Sequence, residues 1–173
     1  MRYLPVFFFI LSAFGQTSSR FDWIQKVGSE QDSFVGLVDD PLGNSYIVGN
    51  TRSANFPLKS PLQPTLASAT ASDIFIVKLD PSGNVVYSTC FGGSGDDRAV
   101  ALAVDPQGNL YITGFTLSAD FPVTKGAFLS TAPPRIDLRG STFLFKINRD
   151  GTSAGAVSLD VLNICVKYSI LHE

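Results

Sequence analysis

The chain has 173 residues, 45% of them hydrophobic and 16% charged, with a formal net charge of −2. These values exclude a disordered chain and a basic nucleic-acid-binding surface, and they leave one globular domain as the expectation. Fifteen Gly and ten Pro, set at turn positions, point to an all-β protein.

Residues 1–15 read as a secretory signal peptide. Arg2 gives the positive start, Leu4 to Leu11 the apolar run, and Ala13 and Gly15 the small residues before the cleavage point. The run is too short to cross a bilayer comfortably, so no membrane span is expected after cleavage. The expected location is therefore secreted, cell-surface or periplasmic. A polar spacer follows, and Phe21 to Val27 read as a strand anchored by Trp23.

The next strands are Phe34–Val38, Tyr46–Val48, Ile74–Leu79 and Val85–Phe91, with a long Pro-containing loop between Gly49 and Ser72. From Gly92 the pattern restarts. Asp105 to Gly114 repeat Asp40 to Gly49, and Thr116 to Pro122 repeat Thr51 to Pro57. Phe143 to Ile147 repeat Phe75 to Leu79. The second set of strands is Ala99–Val104, Leu110–Thr113, Thr142–Ile147 and Ala154–Leu159. Ala99 to Val104 are apolar at every position, which predicts a strand covered on both faces.

Both sets are built around one turn. Asp-Pro-x-Gly-Asn stands at 40–44, 80–84 and 105–109, with a worn copy at Asn148-Arg149-Asp150-Gly151-Thr152. Pro fixes φ for the first central position of a type I turn, the Asp side chain reaches the N–H two residues on, and Gly accepts a left-handed φ. Each copy joins two apolar runs as a hairpin. Two hairpins make four strands, and a repeated four-stranded antiparallel sheet is the blade of a β-propeller. The expected organisation is a signal peptide (1–15), an N-terminal strand with a first repeat (21–91), a second repeat (92–158) and an aberrant tail (159–173). A closed propeller takes four to eight blades, so two blades plus an N-terminal strand make an incomplete propeller. The tail breaks the repeat and reads as the end of a truncated or frame-shifted product.

Chemical motifs are sparse. The one histidine, His172, lies in the tail, which excludes a Ser-His-Asp triad and a His-rich zinc site within the repeats. No P-loop, dinucleotide fingerprint or Gly-x-Ser-x-Gly elbow occurs. Gly92-Gly93-Ser94-Gly95-Asp96-Asp97 opens like a calcium-binding nonapeptide but is not tandem, and it reads as a flexible inter-blade turn with solvated carboxylates. Phe56 and Phe121, each followed by Pro, read as plugs between blades, with exposed ligand contacts as the alternative. Lys78 and Lys146 repeat at one strand position and read as solvated or edge-guarding residues. Cys90, within a strand, reads as a small buried thiol, and nothing pairs it with Cys165. No catalytic, cofactor-binding or metal-binding residue is assigned.

The segments Phe75 to Asn84, Tyr87 to Asp97 and Ala103 to Gly114, continued by Thr116 to Pro122, resemble the bacterial seven-bladed β-propeller repeat family (SBBP). Cys90 stands where that pattern carries an aromatic residue. The resemblance covers about residues 21 to 158. It implies an exported or surface-associated propeller and no active site. The expected function is a non-enzymatic binding or scaffold module for a surface polysaccharide or protein, with self-association through further blades. The alternative is a fragment of a propeller enzyme such as a polysaccharide lyase or hydrolase.

Overall fold

The computed structural model describes residues 31–67, 70–123 and 140–159, with side chains described through residue 152. The expected signal peptide, the strand expected at Phe21–Val27, Cys165 and His172 lie outside the described residues, as does the tail beyond Leu159. The protein is all-β. Eight strands form two four-stranded sheets, each with its strands side by side in chain order. The first sheet holds β1 (Asp32–Asp39), β2 (Ser45–Thr51), β3 (Asp73–Leu79) and β4 (Val85–Phe91). The second holds β5 (Asp97–Val104), β6 (Leu110–Thr116), β7 (Ser141–Ile147) and β8 (Ser153–Leu159). All six pairings are antiparallel. These are the two blades read from the repeat. β2 runs three residues beyond Val48, into the segment expected as loop.

The hairpin turns form as their residues dictate. Gly43, Gly83, Gly108 and Gly151 have φ of 80°, 82°, 82° and 87°, a region that a Cβ resists. Asp40 Oδ1 accepts the N–H groups of Leu42 and Asn44, both at 2.9 Å, and Asn44 Nδ2 donates back to Asp40 Oδ2 at 2.7 Å. Asp80 and Asp105 repeat that clasp with Asn84 and Asn109. In the worn copy Asn148 Nδ2 donates to Thr152 Oγ1 at 3.1 Å, so the same two positions hold together with other chemistry. Even the irregularities repeat. The ladder slips between Phe34 and Gly36 in β1 and between Ala99 and Ala101 in β5, at equivalent positions.

Strand alternation gives each sheet two faces. The face of the first blade that carries Tyr46, Val48, Ile74 and Ile76, its forward face, packs against Leu110, Ile112, Phe143 and Phe145 of the second blade's rear face. Phe91 stacks on Phe145 with centroids 3.9 Å apart, and Phe121 meets Phe91 edge-on at 5.3 Å. Burial of each large side chain here contributes about 1.5–3 kcal/mol. The rear face of the first blade, with Ile47, Phe75, Val77, Leu79 and Cys90, forms a second cluster with Phe56, Leu58 and Leu66. The outer edge of β4 is covered by the loop before β3: Lys59 and Ser88 exchange backbone hydrogen bonds at 3.0 and 2.8 Å. That contact leaves less edge free for another chain.

The apolar run Ala99 to Val104 is not covered on both faces. Ala99 is buried, whereas Val100 is 56% exposed and Ala103 is exposed. The hydrophobic pattern read as full burial; the neighbour needed to produce it on the forward side is absent among the described residues.

Candidate functional site

The acidic loop between the blades is a structural tie. Asp97 is fully buried, and its Oδ2 accepts Gly93 N–H at 2.6 Å and Ser118 Oγ at 2.8 Å. Asp96 Oδ1 accepts Ser72 N–H at 2.8 Å and Arg52 Nη2 at 3.2 Å. Asp120 takes Ser94 N–H and Oγ, both at 2.8 Å. Asp96 and Asp97, expected to be solvated, thus hold backbone groups of the seam, because loop N–H groups without ladder partners need acceptors. The Ser72 N–H bond, above all, keeps Asp96 below the ordinary carboxylate range. Among the described residues no group of three or more His, Cys, Asp or Glu is arranged to hold a metal.

One pair in this seam is unusual. Asp73 and Asp97 are both 0% exposed, and Oδ1 of each has no hydrogen-bond partner. Gly92 lies between them: a Cβ there would stand 2.6 Å from Asp73 Oδ1 and 2.8 Å from Asp97 Oδ2. Burial, reinforced by the neighbouring Asp97 charge and opposed by the Ala67 N–H bond, raises the Asp73 carboxyl to about 6. Burial likewise pushes Asp97 up. Burial of both carboxyls favours the protonated form.

Phe121 plugs the gap between the two blades, as expected; Phe56 takes the equivalent place on the first blade's rear face, where no second blade is among the described residues. Phe56 stacks on Phe75 at 4.9 Å and Phe121 on Phe143 at 4.8 Å, both rings buried. Lys78 is neither solvated nor an edge guard. Lys78 is 4% exposed; its Nζ donates to Arg149 O at 2.7 Å and lies 4.9 Å from the centroid of the Tyr46 ring. Burial pulls its pKa down. Cys90 is fully buried, and its thiol is pushed up to about 12, chiefly by burial.

The surface that remains is the forward face of the second blade. It carries Tyr111, Thr113 and Leu144 where the first blade carries Tyr46, Val48 and Ile76 in the same pairing register. In the first blade all three are 0% exposed; in the second, Leu144 is 43% exposed, as are Phe115 (45%) and Val100 (56%) beside it. A shallow pocket of about 170 Å³ opens there between Ala101, Ala103, Tyr111, Thr113 and Leu144. Motif searching missed this face because it holds no reactive group. Aligning the two repeats position by position would have marked it.

Residues 86–122 match the family model for the SBBP Beta-propeller repeat. The chain thus carries an SBBP-type β-propeller repeat over this stretch. The matched stretch runs from β4 through the acidic seam and β5–β6 to Pro122, so it contains the joint between two blades. No curated protein matches the SBBP-repeat chain.

Proposed function

We propose that this SBBP-repeat protein is an exported, non-enzymatic binding or scaffold module that acts at the cell surface. The observation that carries the reading is the uncovered forward face of the second blade. Val100, Phe115 and Leu144 expose apolar side chains on the second blade, whose rear face is packed against the first. A contiguous exposed apolar patch on a stable scaffold marks an interaction surface. Its composition favours protein over polysaccharide, since it lacks the array of carboxylate and amide groups that would bind sugar hydroxyls. Arg2 and the Leu4–Leu11 run support export.

The test is surface retention in producing cells. The wild-type chain is expected in the protease-accessible surface fraction. Leu144→Asp, which charges the patch without entering the core, is expected to be exported equally and released to the medium. An intracellular wild-type chain, or a variant retained as well as wild type, would contradict the proposal.

A further inference from the structure

We infer that the blade seam binds a divalent cation of the calcium type between Asp73 of the first blade and Asp97 of the second. The inference goes beyond the surface reading and does not depend on it. Both residues open a strand, Asp73 in β3 and Asp97 in β5, so each carboxyl is placed by its own sheet. Both are fully buried. One oxygen of each is partnered: Asp73 Oδ2 accepts Ala67 N–H at 3.0 Å, and Asp97 Oδ2 accepts Gly93 N–H and Ser118 Oγ. The other oxygen of each, Oδ1, meets no donor.

Neither carboxyl has a counter-charge. The arginines of this seam, Arg52 and Arg98, face Asp96 instead. Two buried carboxylates without a cation are strongly unfavourable. A trapped water could donate to both orphan oxygens, but it would leave both charges in place. A divalent cation satisfies the oxygens and neutralises the charge together.

The donors also select the ion. Hard oxygen ligands suit calcium and magnesium rather than zinc or copper. Two carboxylates carry the charge, and neutral oxygens stand beside them: Ser118 Oγ on Asp97, and Gln63 Oε1, which accepts Gly92 N–H at 3.3 Å. Calcium tolerates such a mixed, irregular set, whereas magnesium demands an octahedron and keeps several waters, for which a fully buried pair has little room. Gly92 keeps the cradle open, because a Cβ there would press on Asp73 Oδ1 and Asp97 Oδ2. Asp97 is also the closing aspartate of Gly92-Gly93-Ser94-Gly95-Asp96-Asp97, the segment that opens like a calcium-binding nonapeptide. Here the second carboxylate comes from the neighbouring blade rather than from a tandem copy, so the ion would tie one blade to the other. Ser141 stands in the second blade where the first has Asp73, so the second blade does not repeat that half of the site.

The test is calcium binding by the purified full chain near neutral pH after chelator treatment, followed by equilibrium dialysis and by thermal unfolding. In chelator the pair is left as bare acids, the state to which its pH dependence belongs. The wild type is expected to take up one Ca²⁺ per chain and to gain about 5–10 °C in Tm at saturating calcium. Asp73→Asn and Asp73→Ser should lose both responses, and Gly92→Ala, which fills the cradle, should lose them as well. Circular dichroism checks that each variant keeps its strands, and three variants at two positions guard against the failure of any one to fold. Asp80→Asn, in an exposed hairpin turn, should leave the calcium response unchanged. No uptake by the wild type overturns the inference. Uptake that survives in a folded Asp73 variant also overturns it and marks an adventitious ion only. A Tm that responds to acid but not to calcium shows that the pair holds a proton and no metal. None of these results touches the surface-module reading, which surface retention tests separately.

Discussion

The two forward faces are made from one template and have opposite fates. In the first blade Tyr46, Val48 and Ile76 are sealed beneath the second blade. In the second, Tyr111, Thr113 and Leu144 occupy the same register and remain at least partly open. Nothing within a single blade decides the difference; the neighbour does. Repeat architectures behave in this way, because each unit supplies half of an interface and its stability depends on the adjoining unit. The replacement of Val48 by Thr113 and of Gly36 by Ala101 shows that the open face has changed in detail.

The comparison breaks most readily at Ile76 and Leu144. Ile76→Ala removes a fully buried side chain from the inter-blade core and should destabilise the protein by about 2–5 kcal/mol. Leu144→Ala, on a residue 43% exposed at the equivalent position, should change stability by less than about 1 kcal/mol. Urea unfolding followed by circular dichroism measures both. Equal losses would mean that the second face is covered after all.

A somewhat smaller effect sharpens the comparison at the seam. Asp73 of the first blade corresponds to Ser141 of the second, so only one blade buries a carboxyl there. A folded-state pKa near 6, against an ordinary 3.8, means that the folded protein holds its proton more tightly than the unfolded chain. The resulting stabilisation is complete below about pH 4 and is lost as pH rises through 6, amounting to at most about 3 kcal/mol. Asp73→Asn should remove that pH dependence and leave a protein more stable than wild type at pH 8. Parallel stability profiles of wild type and variant from pH 4 to 8 would disprove the assignment.

Much of this fold was legible because its signals are local and repeated. The Asp-Pro-x-Gly-Asn clasp encloses its own hydrogen bonds, so sequence alone predicts the hairpins and the left-handed glycines. The constant spacing between the repeats then gives the blades. Phe121 was readable as a plug because Pro ends the extended segment beside a large apolar ring. Three features were not legible, and each depends on a contact outside its own strand. Lys78 looks like a surface lysine until the Arg149 carbonyl and the Tyr46 ring enclose it. Asp97 looks solvated until Gly93 and Ser118 close over it. The run Ala99 to Val104 looks fully buried, yet its burial depends on a blade that the described residues do not supply. The candidate site was the least legible part, since an open interface has the same composition as a closed one.

The account rests on the open state of the second forward face, and hydroxyl-radical footprinting of the purified chain tests that most directly. Phe115 and Leu144 should be modified readily, while Ile76 and Phe91 in the sealed interface stay protected. If Leu144 proves as protected as Ile76, the two faces are equivalent and the central claim fails.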